Sequence, residues 1–168
     1  MLAIILILIG ISLRFAPHAP NFTPVAAIAL FAGAYLNKRV ALIVPLILMV
    51  ISDLFLGLHN VILFTWGGFM LAALLGMRLS KNNSFVKTTS FSLVSAILFY
   101  IISNFGVWLM GWYPPTIKGL VDCYVLAIPF LRNFTLATLI YTAVFFGAYE
   151  LIARCVKETK FARVLLKN

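Results

Sequence analysis

Residues 40–58 read VALIVPLILMVISDLFLGL, a run in which only Asp53 is charged. About 20 such residues are what an α-helix needs to cross the hydrocarbon core of a bilayer. Period-two alternation is absent, so the run is not a strand of a membrane β-barrel. It has five companions: Met1–Phe15, Pro24–Leu36, Val61–Leu79, Ser90–Trp112 and Asn133–Ala153. The breaks between them are polar and mostly short, such as Asn37-Lys38-Arg39, His59-Asn60 and Ser80–Thr89. Helices apolar on all sides belong in lipid or deep in a bundle. The expected fold is therefore an all-α integral membrane protein of six transmembrane helices. Residues 1–153 form one domain and residues 154–168 a basic cytoplasmic tail.

Composition agrees. Of 168 residues, 64% are hydrophobic and 10% charged, and the mean hydropathy is +1.10. Soluble domains are about half apolar and about a quarter charged, which excludes a soluble globular enzyme. Disordered chains are poor in apolar and aromatic residues, which excludes disorder. The formal net charge of +9 does not indicate nucleic-acid binding, because the basic residues fall between apolar runs and not along one surface. With the N-terminus inside, ten cations are cytoplasmic: Lys38, Arg39, Arg78, Lys81, Lys87, Arg154, Lys157, Lys160, Arg163 and Lys167. Arg14, Lys118 and Arg132 are outside. The positive-inside rule thus places both termini in the cytoplasm of a multi-pass cell-membrane protein. Met1–Phe15 lacks the basic start of a cleaved signal peptide and is expected to stay as a helix. Cys123 and Cys155 fall on opposite sides and cannot pair. No metal-ligand spacing is present.

Two segments do not simply span. The second is short: Pro24–Leu36 rises only about 20 Å against a core of about 30 Å. Thr23 is a suitable N-cap and Pro24 suits the first helical turn. The loop Ala16–Thr23 must then dip below the outer surface, which is tolerated where protein or a water-filled cavity surrounds it. An outward-facing cavity is expected there. The other segment is Tyr113–Arg132. Pro114-Pro115 ends the fifth helix, and Ile117, Leu120, Val121, Tyr124 and Ile128 form a one-sided stripe that Pro129 stops. An amphipathic helix in the last outer loop is expected, placed to act as a lid.

Polar residues inside an apolar chain are costly and mark functional positions. They gather in the outer half. The candidate ligand or gate residues are Arg14, His18, Asn21, Thr23, Asp53, Asn104, Trp108, Arg132 and Asn133. Asp53 needs a partner such as Arg14 or Arg132, or a water-filled pocket. Structural pairing and ligand contact both account for it. Arg14, Lys118, Arg132 and the start of the second helix could together hold an anion. His18 and His59 lack a third ligand for a metal. Glu150 pairs with Arg154 at i, i+4. No nucleotide loop, nucleophile motif or cofactor signature appears, so no enzyme and no cofactor are expected.

The stretch RFAPHAPNFTPVAAIALFAGA (residues 14–34), then Ser52-Asp53-Leu-Phe-Leu-Gly57, resembles an uncharacterised bacterial integral-membrane family. Asn104-Phe-Gly-Val-Trp108, Tyr113-Pro-Pro-Thr116 and Arg132-Asn133 also match it. That family is similar to the substrate-binding S components of energy-coupling factor (ECF) transporters. The resemblance implies a six-helix bundle that binds a vitamin-like micronutrient near its outer face, under loops one, three and five. It also implies docking on a membrane scaffold subunit driven by ATPases. Many S components dock through an Ala-x-x-x-Ala face on the first helix. Here that helix has only Ala3 and Gly10, and Ala29 and Gly33 on the second helix form the small-xxx-small pair. These two are the candidate docking residues. The alternative is a structural membrane protein similar in layout to the rod-shape protein of cell elongation. It expects a shallow, filled outer face.

Overall fold

The computed structural model describes residues 1–17, 19–79, 84–159 and 161–166, and of Arg163 the backbone alone. His18, Lys81, Lys160 and Lys167 lie outside the described residues. The helices are α1 (Leu2–Arg14), α2 (Val25–Tyr35), α3 (Lys38–Leu56), α4 (Ile62–Gly76), α5 (Phe85–Leu109), α6 (Ile117–Leu126), α7 (Ile128–Val156) and the single turn α8 (Ala162–Leu165). Among the described residues there is no strand.

Local chemistry accounts for the helix starts. Asn37, Ser84 and Thr116 cap α3, α5 and α6 by accepting from the backbone N–H three residues on, the usual N-cap bond. Because Ser84 caps α5, that helix begins five residues before the expected Ser90. Pro129 does not stop α6. It sits in the first turn of α7, where its missing N–H costs nothing. Helix α4 ends at Gly76, short of the expected Leu79. Thr23 does not cap α2. Pro24 holds that position, and the Thr23 hydroxyl accepts from Arg14 instead, at 3.2 Å.

Three helices are long and apolar enough to cross a membrane: α3, α5 and α7. Their outward faces carry Ile47, Ile51, Ile97, Ile101, Ile140 and Val144, all exposed. A continuous apolar exterior of this kind belongs to a membrane protein.

Helix α2 is the centre of the fold. Of its 11 residues, all but Ala34 are buried. Helices α1, α3, α4, α5 and α7 all pack against it. On one side Phe31 meets Tyr35, Phe145, Phe146 and Tyr149 with ring centroids 4.7–6.0 Å apart. On the other, α2 and α4 touch backbone to backbone. A Cβ on Gly33 would strike the Ala73 carbonyl, and one on Gly76 would strike the Leu30 carbonyl. Ala29 and Gly33 are therefore internal packing positions, and neither is available on the surface to dock a partner.

The loops and helix termini divide between two ends of the bundle. The Arg14 end gathers loop 1 (residues 15–24), the α3–α4 turn, α6 and the start of α7. Trp112 Nε1 donates to Asn60 Oδ1 at 3.0 Å, and Asn133 Nδ2 donates to the Pro20 carbonyl at 3.2 Å. At the Met1 end, the α-amino group donates to the Leu165 carbonyl at 3.3 Å, and Lys87 Nζ to the Arg78 carbonyl at 3.5 Å.

The glycine crossing makes a prediction. Gly76→Ala should destabilise the detergent-solubilised protein by about 1–3 kcal/mol, the cost of overpacking a tight contact. Gly67→Ala, whose Cβ would meet nothing within 4 Å, should leave the melting temperature unchanged or slightly raised. Equal melting of the two variants contradicts the crossing.

Candidate ligand-binding site

Asp53 lies in the last turn of α3 and is 3% exposed. Trp66 Nε1 on α4 donates to Asp53 Oδ2 at 2.9 Å. Ser52 Oγ lies 3.4 Å from Oδ1. The Arg14 guanidinium, at the end of α1, lies 4.0 Å from Oδ1, and His59 Nε2 lies 3.8 Å from Oδ2. Arg14 also donates to Thr23 in loop 1. One carboxylate thus ties together α1, loop 1, α3, the α3–α4 turn and α4. A buried carboxylate demands such partners, and its attraction to them is strong in the low-dielectric interior. Some donor capacity is left over. Among the described residues, Arg14 Nε and His59 Nδ1 are buried without a hydrogen-bond partner.

Beside this knot lies a cavity of about 460 Å³, within the usual size range of small-molecule sites, about 300–1,000 Å³. Helices α4, α5 and α7 form its walls, with α6 along one side and Asn21 of loop 1 at the rim. Its apolar floor is the stacked pair Phe99–Phe134, centroids 4.4 Å apart. Its polar groups are Asn21, His59, Thr65, Tyr100, Ser103, Asn104, Trp112 and Tyr113. Among the described residues, no carboxylate, lysine or arginine lines it.

Helix α6 is clasped to α5 by reciprocal tyrosines. Tyr100 donates to the Tyr124 carbonyl at 2.6 Å and Tyr124 to the Ile101 carbonyl at 2.7 Å. Cys123 Sγ donates to the Asn104 carbonyl at 3.4 Å. The face turned to the bundle is Gly119, Cys123 and Ala127, which are buried. Gly119 must be glycine because a Cβ would strike the Pro114 carbonyl. Of the expected apolar stripe, Ile117, Val121 and Ile128 are exposed, while Leu120 and Tyr124 are half-buried at its edge. Burial pushes the Cys123 thiol above its usual range.

The sequence candidates separate into groups. Asn21 and Asn104 line the cavity. Asn104 Nδ2 also donates to the Tyr100 carbonyl at 2.8 Å. Arg14, Thr23 and Asp53 form the knot. Asn133 ties α7 to loop 1. Trp108 donates to the Pro114 carbonyl at 3.1 Å, and with Pro114 and Pro115 it borders a separate shallow recess. Arg132 is exposed on α7 and joins neither the knot nor the cavity wall. The proposed partnership of Arg14, Lys118 and Arg132 around an anion is not assembled, since Arg14 is engaged by Asp53 and Lys118 is exposed. His18 lies outside the described residues. Sequence reasoning missed Trp66, Thr65, Tyr100 and Ser103. Trp66 carried a usable signal, as an indole donor on the helix following Asp53.

Asp53→Asn keeps an acceptor for Trp66 but leaves Arg14 buried without its counter-charge. It should cost about 3 kcal/mol, the scale for removing one partner of a buried pair. Arg14→Gln in the same background should recover part of that loss, and Lys118→Gln alone should be silent. Chemical or thermal melts of the wild type, Asp53→Asn, Arg14→Gln and the double variant complete the double-mutant cycle, with Lys118→Gln as the control.

No curated protein and no solved structure matches the chain. A family model matches residues 1–161, and the chain therefore belongs to DUF6580, a family of unknown function.

Proposed function

We propose that this protein binds a small organic molecule for uptake across the cytoplasmic membrane, in the manner of a substrate-binding S component of an ECF transporter. The observation that carries the reading is the cavity at the Arg14 end, with its aromatic floor and uncharged polar wall. A rigid cavity with an apolar body and a few convergent polar groups is the usual form of a small-molecule site. The ligand is a micronutrient-like molecule with a planar apolar part and several neutral hydrogen-bonding groups. A purely structural protein of the rod-shape type expects a filled end, and the open cavity favours binding.

In this reading the three long helices and the three shorter ones all cross the membrane. The Met1 end carries Lys38, Arg39, Arg78, Lys87, Arg154 and Lys157, against Arg14, Lys118 and Arg132 at the other. Both termini are then cytoplasmic and the cavity opens outward. Asn21 of loop 1 and helix α6 border its mouth and would close over a bound ligand. Release inside needs a further conformational change, supplied by a scaffold with ATPases or by the protein alone. A scaffold would meet the outer surface of the bundle, since the small-residue face of α2 is internal.

Native mass spectrometry of protein extracted from its own membranes tests the reading. One small molecule should be retained. Asn104→Leu should weaken its binding about tenfold, the loss of about one good hydrogen bond, without lowering the melting temperature. Co-purified wall-synthesis proteins and an unliganded cavity would favour the structural alternative. Topology has its own check. A membrane-impermeant maleimide should label neither cysteine in intact cells. Cys155 faces the cytoplasm, and Cys123 is buried with little thiolate. Permeabilisation should expose Cys155 alone.

A further inference from the structure

Helix α1 leans on α2 and α7, and Arg14 ties its end to Asp53 of α3. Between α1 and α3 runs a groove of about 230 Å³. Ile4, Leu8 and Phe15 line it from α1, and Val40, Val44 and Ile51 from α3. Every lining residue is aliphatic or phenylalanine. Phe15 closes one end through its edge contact with Phe55, centroids 6.3 Å apart. The other end opens beside the first turn of α3.

Two features decide what fits. The first is width. From Ile4 to Phe15 a helix rises about 17 Å, so these 230 Å³ are spread along a long, thin slot. A helix with its side chains is about 10 Å across and cannot enter. A single hydrocarbon chain can. The second is charge. The first turn of α3 holds Lys38 and Arg39, both exposed, and no acidic residue. The N-terminus of a helix already carries positive partial charge. Two cations there repel it unless an anion sits among them.

We propose that the α1–α3 groove is a binding site for one anionic phospholipid, with an acyl chain in the slot and the phosphate headgroup at Lys38 and Arg39. The lipid fills the space between α1 and α3 alongside the Arg14–Asp53 pair that already joins them. The site is independent of the cavity, which opens at the opposite end of the bundle.

The full chain, stripped of lipid in detergent, is offered phosphatidylglycerol or phosphatidylcholine with matched acyl chains and weighed by native mass spectrometry. One phosphatidylglycerol per chain should be retained, with a preference over phosphatidylcholine of about tenfold or more, as expected for two cations near a lipid surface. Lys38→Gln with Arg39→Gln should remove the preference. Leu8→Trp should reduce retention of both lipids by filling the slot. Leu8 is 57% exposed, so this variant should fold, and its melting curve checks that. Equal retention of both lipids by the native protein, or a preference unchanged by the Lys38 and Arg39 substitutions, overturns the headgroup assignment. Unchanged retention in Leu8→Trp overturns the groove. A second copy of the chain bound in place of lipid, and lost in Leu8→Trp, overturns the lipid as occupant.

Discussion

The structure depends on a helix that is apolar on every side yet too short to reach across a bilayer. Helix α2 rises about 17 Å, and a hydrocarbon core is about 30 Å thick. Such a helix is stable only where other helices surround it and where the chain entering it finds polar partners below the membrane surface. The neighbouring helices meet the first need, down to the backbone contact between Gly33 and Gly76. The Arg14–Thr23 bond gives the chain entering α2 such a partner. Asp53 follows as a consequence, because a guanidinium drawn into the bundle requires a counter-charge. The cavity is lined by α4, α5, α6 and α7 and, among the described residues, by none of α2.

Charge and cavity are thereby given different tasks. Arg14 and Asp53 are spent on one another, which joins three helices and two loops through a single carboxylate. Among the described residues, the polar groups of the cavity wall are hydroxyls, amides, an indole, a thiol and the His59 imidazole. A wall of that kind discriminates by shape and hydrogen bonding, since a charged ligand would find no opposite charge to replace its lost hydration. His59 is the point of contact between the two regions. It lines the cavity and also approaches Asp53, so a ligand touching it would be felt by the knot.

Individual residues show how far a linear reading reaches. That Asp53 must be paired follows from its position in an apolar run, and Arg14 was a nameable partner. Arg132 was an equal candidate on paper. The buried stripe of α7 runs through Phe134, Ala137, Thr138, Thr142 and Phe145, and Arg132 is two residues from Phe134, about 200° around the helix axis. The periodicity that excludes it is present in the chain but becomes decisive only once the buried face is known. Thr23 had the right identity for a cap, and the nearby guanidinium claimed its hydroxyl. The apolar periodicity of α6 did not say which face meets the bundle: close approach at Gly119 and Cys123 chose it, leaving Ile117 and Val121 exposed.

Hydropathy, segment length and the placement of lysines and arginines are sums over neighbouring residues. The sequence by itself therefore determined that this is a helical membrane protein, roughly where its helices lie, which one is too short and which loops are polar. Which residues meet is a property of pairs far apart in the chain. Only the tertiary structure decided that Trp66 binds Asp53, that Ala29 and Gly33 face inward, and that Asn21 and Asn104 share a cavity from which the arginines are absent. In a chain this apolar nearly every helix face is fit for lipid, so hydrophobicity does not choose the inward face. Close packing and the pairing of a few buried polar groups do.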